Sequence, residues 1–153
     1  MTVAADQADG RGTNGAHWPL QLDLEIRTFD IDFAGHVSNI VYIQWLEIAR
    51  TALLDAVGLP IPHLLDEGFA PIVARTEIEY RRPLQLGDPV RVALAIAKMR
   101  SLSAFMQVEI SSAGEVAATA RQLGLFVSPT TGKPRRLTSE IRDRFAPYVL
   151  DGV

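Results

Sequence analysis

The stretch from Ile40 to Val57 constrains this chain most. Val41, Tyr42, Trp45, Leu46, Ala49, Ala52, Leu53, Ala56 and Val57 spread apolar surface over most of a helical circumference. Gln44, Glu47, Thr51 and Asp55 fall on one narrow polar stripe. A helix this apolar has to be wrapped by other structure on most sides. Ser38 or Asn39 can cap its start, and Gly58-Leu59-Pro60 stops it. A short helical turn is predicted from Pro62 to Gly68.

What does the wrapping is read from a change of period. Before the helix, Leu20, Leu22, Leu24 and Ile26 alternate with Gln21, Asp23, Glu25 and Arg27, so Trp18 to Arg27 reads as a half-buried strand. After it, Ile72, Thr76, Ile78 and Tyr80 alternate with charged residues up to the break at Pro83 and Gly87-Asp88. Val90 to Ile96, Met106 to Ile110 and Val116 to Val127 follow as three more strands, and Thr138 to Phe145 as a short capped helix. Short turns between the strands imply antiparallel neighbours. The expected fold is α+β: an antiparallel sheet of about five strands wrapped around one long central helix. Its open strand edges call for cover by a second subunit.

The chain of 153 residues fits one domain. Residues 1–16 are polar and without period, and read as a disordered N-terminal tail; residues 17–153 form the domain. The 48% hydrophobic and 22% charged fractions are those of a soluble globular protein, so a cytoplasmic setting is the default. A net charge of −3 argues against nucleic acid as a partner. No apolar run is long enough to span a bilayer. With no cysteine there is no thiolate nucleophile or disulfide, and His17, His36 and His63 show no metal-ligand spacing.

Chemistry concentrates in the loop before the helix, Phe29-Asp30-Ile31-Asp32-Phe33-Ala34-Gly35-His36-Val37-Ser38-Asn39. It sets two acids, a histidine and an asparagine beside the N-terminal N–H groups of the helix and their partial positive charge. Gly35 permits either a backbone conformation closed to other residues or close approach of a ligand. Asp30 reads equally as a turn former. His36 either orients a water, bonds to Asp32 or fixes the loop. Tyr42 and Trp45 read as core or as the wall of a binding pocket.

The block from Asp30 to Tyr42 resembles the signature of hotdog-fold acyl-CoA thioesterases of the 4-hydroxybenzoyl-CoA thioesterase type. Glu47-Ile48-Ala49-Arg50, Glu79-Tyr80-Arg81-Arg82-Pro83 with Gly87-Asp88, and Met99-Arg100-Ser101 look like the same family, so the resemblance runs from about Leu20 to Pro134. It implies a catalytic carboxylate at Asp32, a thioester carbonyl held by the backbone N–H near Asn39, and a site at a dimer interface, with dimers paired into tetramers. The His36-Val37-Ser38-Asn39 segment resembles the fatty-acyl branch more than the aromatic one. The expected activity is hydrolysis of an acyl-CoA to a free acid and CoA, with neither cofactor nor metal. Acyl-carrier protein is a second candidate carrier.

Physical chemistry supports the same assignment. A fixed N–H donor meets charge developing on the carbonyl oxygen, an effect typically worth about 3–4 kcal/mol of barrier. A carboxylate activates water or attacks directly. Glu47 is a rival base, although an ion pair with Arg50 is the ordinary reading. Arg100, Ser101, Lys133, Arg135 and Arg136 are candidates for the CoA phosphates, with Arg81 and Arg82 a further basic group. The acyl pocket is expected among Tyr42, Trp45, Leu46, Phe69, Ile72 and Phe105. The alternatives are a hydratase or dehydratase on the same fold and a non-catalytic acyl-CoA-binding protein.

Overall fold

The computed structural model describes residues 17–150; the tail expected at residues 1–16 lies outside them. Five strands, β1 (Leu20–Leu24), β2 (Ala70–Tyr80), β3 (Val90–Met99), β4 (Ser103–Ser112) and β5 (Glu115–Val127), form one antiparallel sheet in the order β1-β3-β4-β5-β2. The long helix α1 (Asn39–Ala56) packs against one face of it, α2 (Ile61–Asp66) follows, and α3 (Ser139–Asp143) comes after β5. This is the expected hotdog arrangement.

The period-two runs explain which face holds the helix. Val92, Leu94 and Ile96 of β3, with Val108 and Ile110 of β4, pack against Tyr42, Trp45, Leu46, Ala49 and Leu53 of α1 in one core. Leu46 and Ala49 have no exposed surface. The polar stripe of α1 behaves as the spacing predicts, with Gln44, Glu47 and Asp55 exposed and Thr51 half-buried. Thr138 caps α3, accepting the Ile141 N–H at 3.2 Å. At α1 the capping expectation is corrected: Ser38 occupies the N-cap with extended dihedrals, but its side chain makes no capping hydrogen bond.

The connection from β2 to β3 also departs from expectation. These consecutive strands are not neighbours; β4 and β5 lie between them. Residues 81–89 carry the chain from the β2 edge across to β3. Leu84 anchors this crossing, being wholly buried, and its carbonyl accepts the Val37 N–H at 2.8 Å. A short connection therefore binds the loop before α1 instead of closing a hairpin.

β3 is paired along its full length. Leu20–Leu24 covers its first half on one edge, and beyond that the C-terminal segment takes over, with Val149 bridged to Ile96 and the Leu150 N–H bonded to the Ile96 carbonyl at 2.8 Å. Among the described residues β2 pairs with β5 alone, and its outer edge is open.

Candidate active site

The loop between β1 and α1 is held by its own backbone. Ile31 and Val37 form an antiparallel bridge. Inside it the Asp32 N–H donates to the His36 carbonyl at 2.9 Å and the Gly35 N–H to the Asp32 carbonyl at 3.0 Å. Gly35 sits at φ +78°, a left-handed conformation that side chains disfavour, so the turn itself accounts for the glycine.

The two acids of the loop are separated by this geometry. Asp30 is 7% exposed and its carboxylate accepts the Arg27 N–H at 2.7 Å, while its carbonyl accepts the Ser38 N–H at 2.8 Å. It is a structural residue that ties the loop to the start of α1. Asp32 is exposed, and one carboxylate oxygen accepts the Ala34 N–H at 2.9 Å. That bond restrains the carboxylate, and Asp32 lines the adjoining space.

The space is a cavity of about 390 Å³ lined by Asp32, His36, Asn39, Tyr42, Tyr80 and Arg81, among others. Three candidates for chemistry, Asp32, His36 and Asn39, thus meet at the first turn of α1. His36 is joined to Asp32 through the main chain, and no side-chain hydrogen bond links them among the described residues. The Val41 N–H donates to the Ser38 carbonyl at 3.0 Å, and with no side-chain cap the Asn39 and Ile40 N–H groups before it keep their capacity for a partner.

Tyr80 is the residue that sequence reasoning passed over. Its ring packs edge-on against Tyr42 at 5.0 Å between centroids, and its hydroxyl donates to the Asn39 carbonyl at 3.4 Å. Burial raises the Tyr80 phenol above its ordinary value, and burial followed by the neighbouring Tyr80 raises Tyr42. Both therefore stay protonated donors at neutral pH. The signal was its place at the end of an alternating strand, directly before Arg81-Arg82-Pro83.

The basic residues fall into two sets. Arg81 and Arg82 line the Asp32 cavity. Arg81 pairs with Glu79 at 3.6 Å and Arg82 with Glu115 at 2.7 Å. Arg100, Ser101, Lys133, Arg135 and Arg136 do not line it. Arg136 donates to the Ser101 hydroxyl at 2.8 Å, and Arg100 lies over the Phe105 ring. The Lys133 carbonyl closes a turn by accepting the Ser128 N–H at 2.8 Å. Arg135 donates to the carbonyls of Glu67 and Gly68 at the end of α2 and stacks 4.3 Å from the Phe69 ring, which gives it a structural use.

Glu47 lies outside the Asp32 cavity and pairs with Arg50, as expected. Of the residues expected around the acyl group, Trp45, Leu46 and Phe69 are core, and they and Phe105 lie outside the Asp32 cavity.

With the fold and this geometry in place, comparison with known proteins is decisive. The profile of the thioesterase-like superfamily matches residues 26–145. The chain belongs to that superfamily. It is 30% identical to the acyl-CoA thioester hydrolase YbgC of Escherichia coli, over 84% of this chain and 93% of that protein. It is 24% identical to the long-chain acyl-CoA thioesterase FadM of the same organism, over 85% of this chain and 99% of the other. In structure it is similar to a Thermus thermophilus thioesterase crystallised with coenzyme A and zinc, with a TM-score of 0.74 and 30% identity over 86% of this chain and 95% of that one. No helix among the described residues is long and apolar enough to cross a membrane.

Proposed function

We propose that this thioesterase-superfamily protein hydrolyses an acyl-CoA to a free acid and CoA, with Asp32 as the catalytic carboxylate. The observation that carries the reading is the meeting of Asp32 with the uncapped first turn of α1 in one cavity. The thioester carbonyl oxygen points at the N–H near Asn39, where developing negative charge meets a donor that does not reorganise. Asp32 either takes a proton from the attacking water or attacks the carbonyl carbon itself. In the second route the C–S bond breaks, CoA leaves as the thiolate, and water hydrolyses the resulting anhydride. Single-turnover hydrolysis in heavy-oxygen water tests the second route: where water attacks the Asp32 carbonyl of the anhydride, the label enters Asp32 and the product keeps an enzyme oxygen, and an anhydride trapped with hydroxylamine reveals the route when water attacks the acyl carbonyl instead.

The same reading takes the protein as a homodimer. The outer edge of β2 is a template for another strand, and Ile72, Val73 and Tyr80 on it are well exposed. Two copies related by a two-fold axis pair these edges antiparallel. The Tyr80 end of one strand then lies toward the Ile72 end of the other. Arg100, Ser101 and Arg136 are the candidates for the nucleotide end of CoA.

Thiol release from a panel of acyl-CoAs tests the activity, run beside hydration of an enoyl-CoA. Turnover of the thioesters without hydration supports the hydrolase. Hydration alone moves the protein to the hydratases. Tight CoA binding with no turnover of either makes it a binding protein.

A further inference from the structure

The main chain around the start of α1 is largely committed. The Val37 N–H donates to the Leu84 carbonyl at 2.8 Å, the Ser38 N–H to the Asp30 carbonyl at 2.8 Å and the Val41 N–H to the Ser38 carbonyl at 3.0 Å. Among the described residues, the Asn39 and Ile40 N–H groups between them have no main-chain acceptor. Asn39 lines the Asp32 cavity. A donor that meets developing charge is effective because it does not reorganise, so it has to be held still. Whatever holds Asn39 is therefore part of the site.

Tyr80 holds it. Its hydroxyl donates to the Asn39 carbonyl at 3.4 Å. The helix already gives that carbonyl a partner, since an α-helical carbonyl accepts the N–H four residues on. The phenol adds a second donor to an oxygen with two lone pairs, and satisfying the carbonyl does not require it. The Asn39 carbonyl and the Ile40 N–H belong to one planar, conjugated peptide unit. A donor on the oxygen fixes that plane and polarises the unit, which strengthens the N–H as a donor. The same bond pins Asn39 and, with it, that residue's own N–H. At 3.4 Å the bond is long, as bonds in catalytic sites often are before substrate arrives.

The phenol is itself anchored. Tyr80 ends β2 opposite Ala118. Just beyond it the Arg81 and Arg82 N–H groups both donate to the Ala117 carbonyl, at 2.8 and 3.1 Å. The Arg82 guanidinium reaches the Ser112 carbonyl at 3.1 Å and Glu115 at 2.7 Å. The Tyr80 ring meets the buried Tyr42 ring edge-on.

We propose that Tyr80 is a positioning residue for the thioester carbonyl: its hydroxyl, bonded to the Asn39 carbonyl, holds and polarises the first turn of α1, whose free N–H groups meet the oxyanion. The inference rests on the hydrolase reading above and adds a residue from a distant strand to its machinery. Tyr80 acts through Asn39 in this role.

The test is Tyr80→Phe, which removes the hydroxyl and keeps the ring against Tyr42. Denaturant unfolding first checks that the variant is folded. Two quantities are then compared with wild type: the steady-state kinetics of an acyl-CoA, and the Ile40 amide proton resonance of isotope-labelled protein without ligand. The expected fall in kcat is about tenfold, short of the hundredfold or more that follows loss of an oxyanion donor itself. KM should stay within about twofold, because the lost interaction serves the transition state. The Ile40 amide proton should move upfield as its peptide unit loses polarisation. A raised KM with kcat preserved would mark lost ground-state binding and overturn the proposal. An unchanged kcat overturns it too, as does a fall in kcat with the Ile40 resonance unmoved, which would make the hydroxyl merely structural. If the wild type hydrolyses no acyl-CoA, the hydrolase reading falls by itself, and the Ile40 resonance decides alone. Upfield movement in the variant then upholds the hold of Tyr80 on the first turn, and no movement overturns it.

Discussion

β3 and β2 are long antiparallel strands of one sheet with opposite surroundings. β3 has partners along both edges, and Val92, Leu94, Ala95 and Ile96 show no exposed surface. β2 has a partner on one edge, and most of its residues are exposed. Two cavities have β2 in their walls, the Asp32 cavity through Tyr80 and a second one, of about 440 Å³ between α1 and the sheet, through Ile72 and Thr76. The lesson is a division of labour: the centre of the sheet supplies stability, and its unfinished edge leaves room for a ligand and a partner.

That division can be broken by experiment. Leu94→Ala removes a fully buried side chain from β3 and is expected to cost about 3 kcal/mol of stability. Denaturant unfolding measures it, and turnover per folded molecule should hardly change. Next in size is Val73→Lys, which puts a charge on the open edge of β2. We expect it to weaken self-association about tenfold or more while sparing the folded protomer. Sedimentation tests this, and undiminished dimers would mean that another surface joins the copies.

Gly35→Ala asks whether the loop glycine serves conformation alone. No atom lies within 4 Å of the added Cβ, so the cost is backbone strain, about 1 kcal/mol. A far larger loss of activity than of stability would show that the strain displaces Asp32. The smallest effect is at Tyr42, whose phenol burial raises above the ordinary 10.0. The unfolded chain releases this proton first, so the stability present below pH about 10 is lost as pH rises past it. Tyr42→Phe should flatten that slope, as read from unfolding on either side of pH about 10.

Much of this was legible beforehand. The strand and helix periods are local properties, and α1, expected from Ile40 to Val57, is found at Asn39–Ala56. The loop chemistry was readable because Asp30 to Asn39 is contiguous in sequence. Strand order was not, since an 81–89 connection looks like a hairpin until Leu84 is seen bound to Val37. Tyr80 and Arg81 reach Asp32 only through that fold. Aromatic residues of α1 could be assigned to core or pocket only once their facing strands were placed, which moved Trp45 and Leu46 into the core.

The most direct test of where the chemistry sits compares Asp32→Asn with Glu47→Gln in the same thiol-release assay. Each variant is first checked for wild-type unfolding behaviour. The account predicts a loss of about a thousandfold in kcat for Asp32→Asn and only a few-fold change for Glu47→Gln. Wild-type turnover in Asp32→Asn, with the large loss in Glu47→Gln, would contradict it and move the base to the central helix.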